Sequence, residues 1–384
     1  MAIEQFQHWY ENRHIYQKDW KKRTGGKMIG FFCTYVPEEI YYAFDVLPVR
    51  ILGSHELQDV TEPHIFAMFC PFCRDVLAQG LKGKYNYLDG ITIGQSCIHL
   101  RQAYTSWDQH LNPGWSHYLP MPSHVQSPSS VPFLKGEFEL LIKKLETLTG
   151  KTITDADLEK GIEIMNQVRQ TMKKIYEFRK QENPPITGEE AMYMTCSQFF
   201  TDAREWLPVA KQVLKELETR KLDRDPGKRL MLVGSENDDI AFINMVEHLG
   251  ETEAVGATIV IEEHCTTTRY FWDETQEKTD DPLKAIAARY VARTPCPSKD
   301  WPKRTRLDRI LKFAKDFNVD GAIVLQQKFC DPHEADIPFV KQALEKAGVP
   351  TYFLEFDVTT PVGPFSIRVE AFLETLETED DLFD

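Results

Sequence analysis

The sequence has 384 residues, of which 42% are hydrophobic and 11% aromatic, which is enough for two ordinary α/β domains or one large one. The formal net charge of −14 disfavours nonspecific binding of nucleic acids, so we expect no nucleic-acid partner. No apolar run approaches the ~18 residues of a membrane-spanning helix, and residues 1–9 are polar and amphipathic rather than a secretory signal. We therefore expect a cytoplasmic protein without a membrane partner.

The first part of the chain is predicted to form a helical arm followed by an α/β lobe. Residues 1–25 have the pattern of a charged amphipathic helix, and residues 26–133 alternate strands with helices. In this lobe we predict four strands, at residues 27–32, 46–52, 88–93 and 117–121. Pro37 opens one helix of the lobe, and residues 64–77 are predicted as another.

The remainder is predicted to form a helical region and a second α/β lobe. Residues 134–227 are helical and charged, and Thr154 is a suitable residue to cap one of their helices. Residues 228–384 return to the α/β pattern, with strands at 228–234, 257–261, 319–325 and 351–354. The expected fold class is therefore α/β, with two Rossmann-like parallel-sheet lobes joined by a helical region and a ligand site in the cleft between them.

Eight cysteines in a chain without a secretory signal indicate metal binding, redox chemistry or buried thiols. Cys97 and Cys330 each follow an apolar strand, which puts them at the ligand-binding edge of a parallel sheet. Cys70 and Cys73 form a Cys-x-x-Cys pair, which suits a zinc half-site, a thiol redox pair, or one cluster ligand beside a bystander. Zinc would require a second such pair or a pair of histidines at similar spacing, whereas thiolates from several segments favour an iron–sulfur cluster. Three cysteines are interpreted as buried thiols: Cys73, Cys196 and Cys296.

The usual nucleotide-binding signatures are missing from the sequence. No Gly-x-Gly-x-x-Gly follows a predicted strand. Residues 149–152 imitate only the end of a phosphate-binding loop, because Leu145 stands where the first glycine of that loop belongs. If the protein depends on ATP or a nicotinamide cofactor, another chain must supply it.

Three polar residues near the cysteines are candidates for further roles. His99 follows Cys97 and is placed either to donate a proton near the site or to serve as a hydrogen-bond partner of a ligand. Glu38 and Glu39 follow Cys33 and are placed to act as acid or base groups, although first-turn glutamates more often stabilise the start of a helix.

Several short motifs, in consistent order over roughly residues 27–375, carry a family resemblance. They are residues 32–40, 70–74, 89–101, 264–269, 320–332, 355–357 and 368–372. With these motifs the chain resembles the family of 2-hydroxyacyl-CoA dehydratases and ATP-dependent benzoyl-CoA reductases. The resemblance implies a [4Fe–4S] cluster bound by three cysteines, here Cys70, Cys97 and Cys330, with one iron left open to substrate or another ligand.

The resemblance also implies partners. They are a larger homologous subunit in a heterodimer, a separate ATP-hydrolysing activator with its own [4Fe–4S] cluster, ferredoxin as the upstream electron donor, and an aryl-CoA substrate. The candidates for substrate binding are Cys33, Glu38 and Arg269.

The size of the chain, the segment around Cys33 and the presence of His99 are most similar to the C (gamma) subunit of class I benzoyl-CoA reductase. The main hypothesis is an iron–sulfur subunit of an ATP-dependent aryl-CoA reductase, which reduces the ring of an aryl-CoA thioester to a cyclic diene. One alternative is a subunit of a radical 2-hydroxyacyl-CoA dehydratase that forms an enoyl-CoA. Another is a non-catalytic electron-relay or scaffold subunit.

Overall fold

The computed structural model of the chain describes residues 1–249, 255–357 and 362–381. Its strands form two four-stranded sheets in which every pair is parallel. The first sheet contains β1 (Met28–Phe31), β2 (Leu47–Arg50), β3 (Gly90–Gly94) and β4 (Ser116–Leu119), in the order β2-β1-β3-β4. The second contains β5 (Lys228–Gly234), β6 (Ala257–Glu263), β7 (Gly321–Gln327) and β8 (Thr351–Phe356), in the order β6-β5-β7-β8. The expected fold class, two Rossmann-like lobes, is confirmed.

Helices connect and cover the strands in both halves. Those before β5 are α1 (Glu4–Glu11), α2 (Arg13–Thr24), α3 (Glu38–Ala43), α4 (Pro71–Leu81), α5 (Ile98–Leu111), α6 (Ser130–Thr149), α7 (Asp155–Phe178), α8 (Gly188–Ser197) and α9 (Ala203–Leu217). Those after β5 are α10 (Ile240–His248), α11 (Thr268–Phe271), α12 (Pro282–Ala292), α13 (Arg306–Asp316), α14 (Asp331–Glu334), α15 (Ile337–Lys346) and α16 (Val362–Asp381). Thr154 caps α7 as predicted, because its side chain accepts a hydrogen bond from the backbone N–H of Asp157.

The predicted N-terminal arm is two helices packed against the helical region. The Trp20 indole donates a hydrogen bond of 3.0 Å to a carboxylate oxygen of Asp202, which caps α9. The Phe6 ring lies 5.5 Å from the Trp206 ring, edge to face. Both N-terminal side chains are buried, so this segment contributes to the core.

The helix predicted over residues 64–77 is wrong in its first half, because the observed helix α4 begins at Pro71. Proline restricts the residue before it to extended backbone, and Cys70 has φ −44° and ψ 133°. Proline also suits the first position of a helix, where no N–H donor is needed. The prediction missed helix α5, which starts directly after Cys97. Both errors concern segments that carry a predicted ligand.

The helical region is connected to both lobes through buried ion pairs. Arg169 on α7 pairs with Glu39 on α3 at 2.6 Å, and Arg179 at the end of α7 pairs with Glu262 on β6 at 2.5 Å. Helices α7 and α3 approach so closely that a Cβ on Gly161 would lie 2.0 Å from the backbone oxygen of Glu39. The position of one lobe relative to the other is therefore fixed through α7.

Strand order reverses at the centre of each sheet, between β1 and β3 in the first and between β5 and β7 in the second. In open α/β sheets, the crevice outside the carboxyl ends of these central strands is the usual place for a ligand. In the part of the chain that the structure describes, no helix combines the length and apolar content needed to cross a bilayer.

Candidate functional site

Seven of the eight cysteines line one cavity at the carboxyl edges of the two sheets. They are Cys33, Cys70, Cys73, Cys97, Cys265, Cys296 and Cys330. The cavity offers about 60 Å³ to the centre of a water molecule, whereas a single water needs ~10–15 Å³. Cys196 is the exception, since it is buried within α8 and is not part of the lining. The cavity thus has room for a compact group of several atoms surrounded by sulfur.

The lining residues occupy equivalent positions in the two lobes. Cys33 and Glu236 lie two residues after the ends of β1 and β5, which are the matching inner strands. Cys97 and Cys330 lie three residues after the ends of β3 and β7, the other matching pair. Each lobe therefore directs two chemically active side chains from its central strands into the shared cavity.

Cys70 reaches the cavity from the N-terminus of α4, where it is the capping residue. Hydrogen bonds from the thiols of Cys330 and Cys73, and from backbone N–H groups of Cys73 and Phe72, hold the pKa of Cys70 well below its usual value. In its thiol form Cys70 donates to the amide oxygen of Gln327, 3.6 Å away on β7. Residues of both lobes thus meet at this sulfur.

The other two predicted ligands are protonated in the absence of a metal. The pKa of Cys330 lies well above its usual value because the thiol is hydrogen-bonded to Cys70 and is buried. Burial raises the pKa of the Cys97 thiol, and the backbone N–H of Leu100 opposes this. Binding a metal group through these sulfurs therefore releases protons and is favoured at higher pH.

Three buried arginines surround the thiols. Arg50, Arg269 and Arg293 line the cavity and are 2%, 3% and 1% exposed. Arg50 contacts a carboxylate oxygen of Glu236 at 3.3 Å, and Arg269 contacts Glu263 at 3.0 Å. Arg293 has no carboxylate partner among the described residues. These guanidinium groups favour a negatively charged occupant.

Glu236 is the carboxylic acid of the cavity lining. Its carboxylate accepts hydrogen bonds from Thr266 at 2.6 Å, from Arg50 at 3.3 Å and from the side chain of Gln327 at 3.4 Å. Burial, followed by the nearby charge of Asp238, raises the pKa of Glu236 to about 8. At neutral pH this group is mostly protonated.

His99 lies on the cavity with both ring nitrogens engaged. Its Nδ1 accepts a hydrogen bond of 3.0 Å from the backbone N–H of Cys70, and its Nε2 lies 3.3 Å from a carboxylate oxygen of Asp331. The Phe69 ring packs 4.8 Å from the imidazole. This geometry holds the Cys70 backbone in place. It fits the role of a hydrogen-bond partner, which was one of the two roles predicted for His99; the other was proton donation.

The structure brings most of the residues singled out from the sequence to this cavity. Those that line it are Cys33, Cys70, Cys97, His99, Arg269 and Cys330. Glu38 does not line the cavity. Its carboxylate is buried and accepts a hydrogen bond from the Tyr270 hydroxyl. Burial raises the pKa of Glu38 to about 7.

Several lining residues were not assigned to a site from the sequence. They are Arg50, Cys73, Glu236, Cys265, Arg293 and Cys296. Cys73 is buried as expected, yet its thiol contacts Cys70, and Cys296 is only partly buried. A usable signal was available for Glu236, since the polar run 235–239 follows an inner strand as the Cys33 segment does.

The donor set can be tested against the cluster implied by the sequence. Within residues 1–249, 255–357 and 362–381, no three His, Cys, Asp or Glu side chains are grouped to hold a single metal ion. A [4Fe–4S] cluster is held at separate corners, so its thiolates need not converge on one point. Soft sulfur donors from three segments and buried donors without partners among the described residues, on Arg50 and Arg293, fit such a negatively charged group.

Comparison with known proteins gives the family. A sequence model described as 2-hydroxyglutaryl-CoA dehydratase, D-component, matches residues 33–376. The chain belongs to this family. The match includes every cysteine of the cavity, so the family's shared region and the candidate site coincide.

Curated relatives extend over nearly the whole chain. The beta subunit of (R)-phenyllactyl-CoA dehydratase from Clostridium sporogenes is 28% identical over 372 residues, 95% of this chain and 96% of that protein. The beta subunit of (R)-2-hydroxyglutaryl-CoA dehydratase from Acidaminococcus fermentans is 24% identical, with 92% and 94% covered. The C subunit of benzoyl-CoA reductase from Thauera aromatica is 20% identical, with 87% and 86% covered. Members of the family thus include subunits of dehydratases and of a reductase, and the chain is an enzyme subunit of this kind.

Proposed function

We propose that this chain is the iron–sulfur subunit of an enzyme that reduces an acyl-CoA thioester by single electrons. The observation that carries the proposal is the convergence of seven thiols from both lobes on one buried cavity. Cys70, Cys97 and Cys330 are the proposed ligands of a [4Fe–4S] cluster, which supplies low-potential electrons when bound. The other cavity residues provide positive charge and an apolar lining around that cluster.

The roles of these residues follow from their contacts. Arg50 and Arg293 offer buried N–H donors that stabilise negative charge in the cavity. The aromatic rings of Phe32, Tyr35 and Phe72 form part of the lining and limit the access of water. The arginines therefore stabilise a negatively charged group in the cavity, and the aromatic rings keep water away from it.

The first reaction we propose is reduction of an aryl-CoA ring to a cyclic diene. Such a reaction adds two electrons and two protons to the ring, and the protonated acid Glu236 lies in the cavity to support proton supply. The C subunit of the Thauera aromatica benzoyl-CoA reductase supports this assignment through its similarity over most of both chains.

Dehydration of a 2-hydroxyacyl-CoA to an enoyl-CoA is the second candidate. It is favoured by the higher identity, 28% and 24%, to two dehydratase beta subunits. A third role, electron relay to a partner that binds substrate, is favoured by the four additional thiols of the cavity, any of which offers a fourth protein ligand.

We propose that the functional assembly contains further chains. The beta and C designations of the relatives support a multi-subunit complex. By resemblance we propose a larger homologous subunit, an ATP-hydrolysing activator with its own [4Fe–4S] cluster, and ferredoxin as donor. We also propose a cytoplasmic location, since a low-potential cluster needs a reducing compartment.

Two measurements test the proposal. Iron and acid-labile sulfide are measured on anaerobically purified protein, and colourless protein without iron would overturn the cluster. The chain is then combined with its partner subunit and activator and supplied with ATP and reductant. A cyclic diene-CoA formed from benzoyl-CoA supports the reductase, and an enoyl-CoA formed from a 2-hydroxyacyl-CoA supports the dehydratase. A cluster with four thiolate ligands, identified by its spectroscopy, supports the relay.

A further inference from the structure

The cavity contains a carboxyl group whose charge is incompletely balanced by its neighbours. Glu263 is paired with two guanidinium groups, those of Arg269 at 3.0 Å and Arg306 at 2.8 Å. Among the described residues, Glu236 is paired with one guanidinium group, that of Arg50, at the longer distance of 3.3 Å, and it shares its surroundings with the acidic Asp238. Of these two carboxyl groups, Glu236 is therefore the one whose protonated form is more strongly favoured over its charged form.

Glu236 is connected to a proposed cluster ligand through one side chain. The amide nitrogen of Gln327 donates to the backbone oxygen of Glu236 at 2.9 Å and approaches its carboxylate at 3.4 Å. The amide oxygen of the same residue accepts from Phe72 at 3.0 Å and from the Cys70 thiol at 3.6 Å. Cys70 and Glu236 therefore lie on opposite ends of one buried amide. Cys70 loses its thiol proton when it binds the cluster, so the coupling is electrostatic, and negative charge added near its sulfur disfavours the ionised form of Glu236.

Two buried histidines beside the cavity, His264 and His333, are poorly suited to take up this proton. Burial and the charge of Arg269 hold the pKa of His333 well below its usual value. The same two causes lower the pKa of His264 to about 3. Both therefore stay neutral, because the surrounding guanidinium groups oppose a further positive charge.

We propose that Glu236 is a redox-linked proton site, which takes up a proton from solvent when an electron enters the cluster and releases it when the electron leaves. This inference rests on the proposed function, because it requires the cluster. At alkaline pH, where Glu236 is ionised before reduction, one electron and one proton enter together, so the net charge of the cavity does not change. The electron comes from the low-potential iron–sulfur activator, or from a chemical reductant in the experiment. Reduction of an acyl group consumes protons and electrons in equal number, and this residue couples the two.

The groups around Glu236 determine the pH range of this coupling. Those that face it from its own loop and from the neighbouring segments are Arg50, His55, Cys196, Asp238 and Cys265. Arg269 lines the same cavity. His55 is paired with Asp238 at 3.0 Å, and that pair leaves Asp238 ionised beside Glu236. An added electron strengthens the preference of Glu236 for its proton, so coupling is expected on the alkaline side of neutrality.

A redox titration of the anaerobic, cluster-loaded protein at a series of pH values tests the inference. The midpoint potential of the wild-type cluster is expected to fall as pH rises above neutrality, with a slope that approaches one proton per electron. Glu236→Gln is expected to abolish this slope while keeping wild-type iron content. The matched control is Glu247→Gln, which replaces another buried glutamate with a raised pKa that lies outside the cavity lining and should leave the slope unchanged.

A second variant keeps the test informative if Glu236→Gln does not fold. Thr266→Val removes a hydrogen bond of 2.6 Å to the charged carboxylate and should move the pH-dependent range upward. A slope that persists in Glu236→Gln, a wild-type potential independent of pH, or an unchanged range in Thr266→Val would overturn the inference. Wild-type protein without iron would instead overturn the proposed function.

Discussion

The amide oxygen of Gln327 lies 3.6 Å from the sulfur of Cys70, although the two residues are 257 positions apart. Gln327 ends β7 of the second sheet, whereas Cys70 precedes α4 of the first lobe. The contact therefore joins the carboxyl edge of one sheet to a helix N-terminus of the other half. A site built in this way exists only when both lobes are folded and docked.

Replacement of single cysteines is expected to separate ligands from other thiols. Cys70→Ser, Cys97→Ser and Cys330→Ser should each reduce bound iron to near background, because serine is a poor ligand for a soft cluster. Cys196→Ser is the control, since Cys196 is buried in α8 outside the cavity. Iron and sulfide per chain are measured after anaerobic purification. Equal iron content in all four variants would contradict the ligand assignment.

Gln327→Ala is expected to lower the free energy of unfolding by about 2–4 kcal/mol. The truncation leaves the N–H of Phe72 and the backbone oxygen of Glu236 without their hydrogen bonds in a buried place. Gln170→Ala serves as control and should change stability by less than about 0.5 kcal/mol, because its side chain hydrogen bond is exposed. Urea denaturation measures both. An equal effect of the two substitutions would refute a special role for the buried amide.

Gly161→Ala is expected to destabilise the contact between α7 and α3 by roughly 1–3 kcal/mol or more. Its Cβ would lie 2.0 Å from the backbone oxygen of Glu39, so one helix must move. Gly136→Ala on α6 is the control, because a Cβ there meets no atom within 4 Å. It should instead stabilise the protein by about 0.5–1 kcal/mol through helix propensity. Thermal unfolding of both variants measures the two changes in stability, which are expected to have opposite signs.

The raised pKa of Glu236 predicts a pH-dependent stability. In the folded protein the pKa is about 8, above the ordinary value of 4.5, so the folded state binds a proton that the unfolded state has lost. The contribution of this group is fully present below pH 4.5 and is lost as pH rises towards 8, by about 1.4 kcal/mol per pH unit. Glu236→Gln should therefore gain stability relative to wild type as pH rises. Denaturation at pH 5, 6, 7 and 8 measures this, and a constant difference would contradict it.

Local sequence patterns predicted the fold well, because strand and helix signals are carried by neighbouring residues. Short apolar runs identified the strands, and Thr154 marked the start of α7. The helix predicted over residues 64–77 begins too early, because Pro71 restricts the residue before it to extended backbone despite the apolar pattern of residues 64–70.

The sequence by itself determined the fold class and the family, and it singled out Cys70, Cys97 and Cys330 as predicted ligands. Only the tertiary structure decided which other side chains join them. Arg293 and Cys296 carry no local signal of a shared site, because their approach to the cavity depends on the docking of two lobes through α7. The same holds for Glu236, whose burial and incomplete charge balance arise from residues of both lobes. Long-range packing, rather than local pattern, therefore turned a set of cysteines into a charged, thiol-lined cavity.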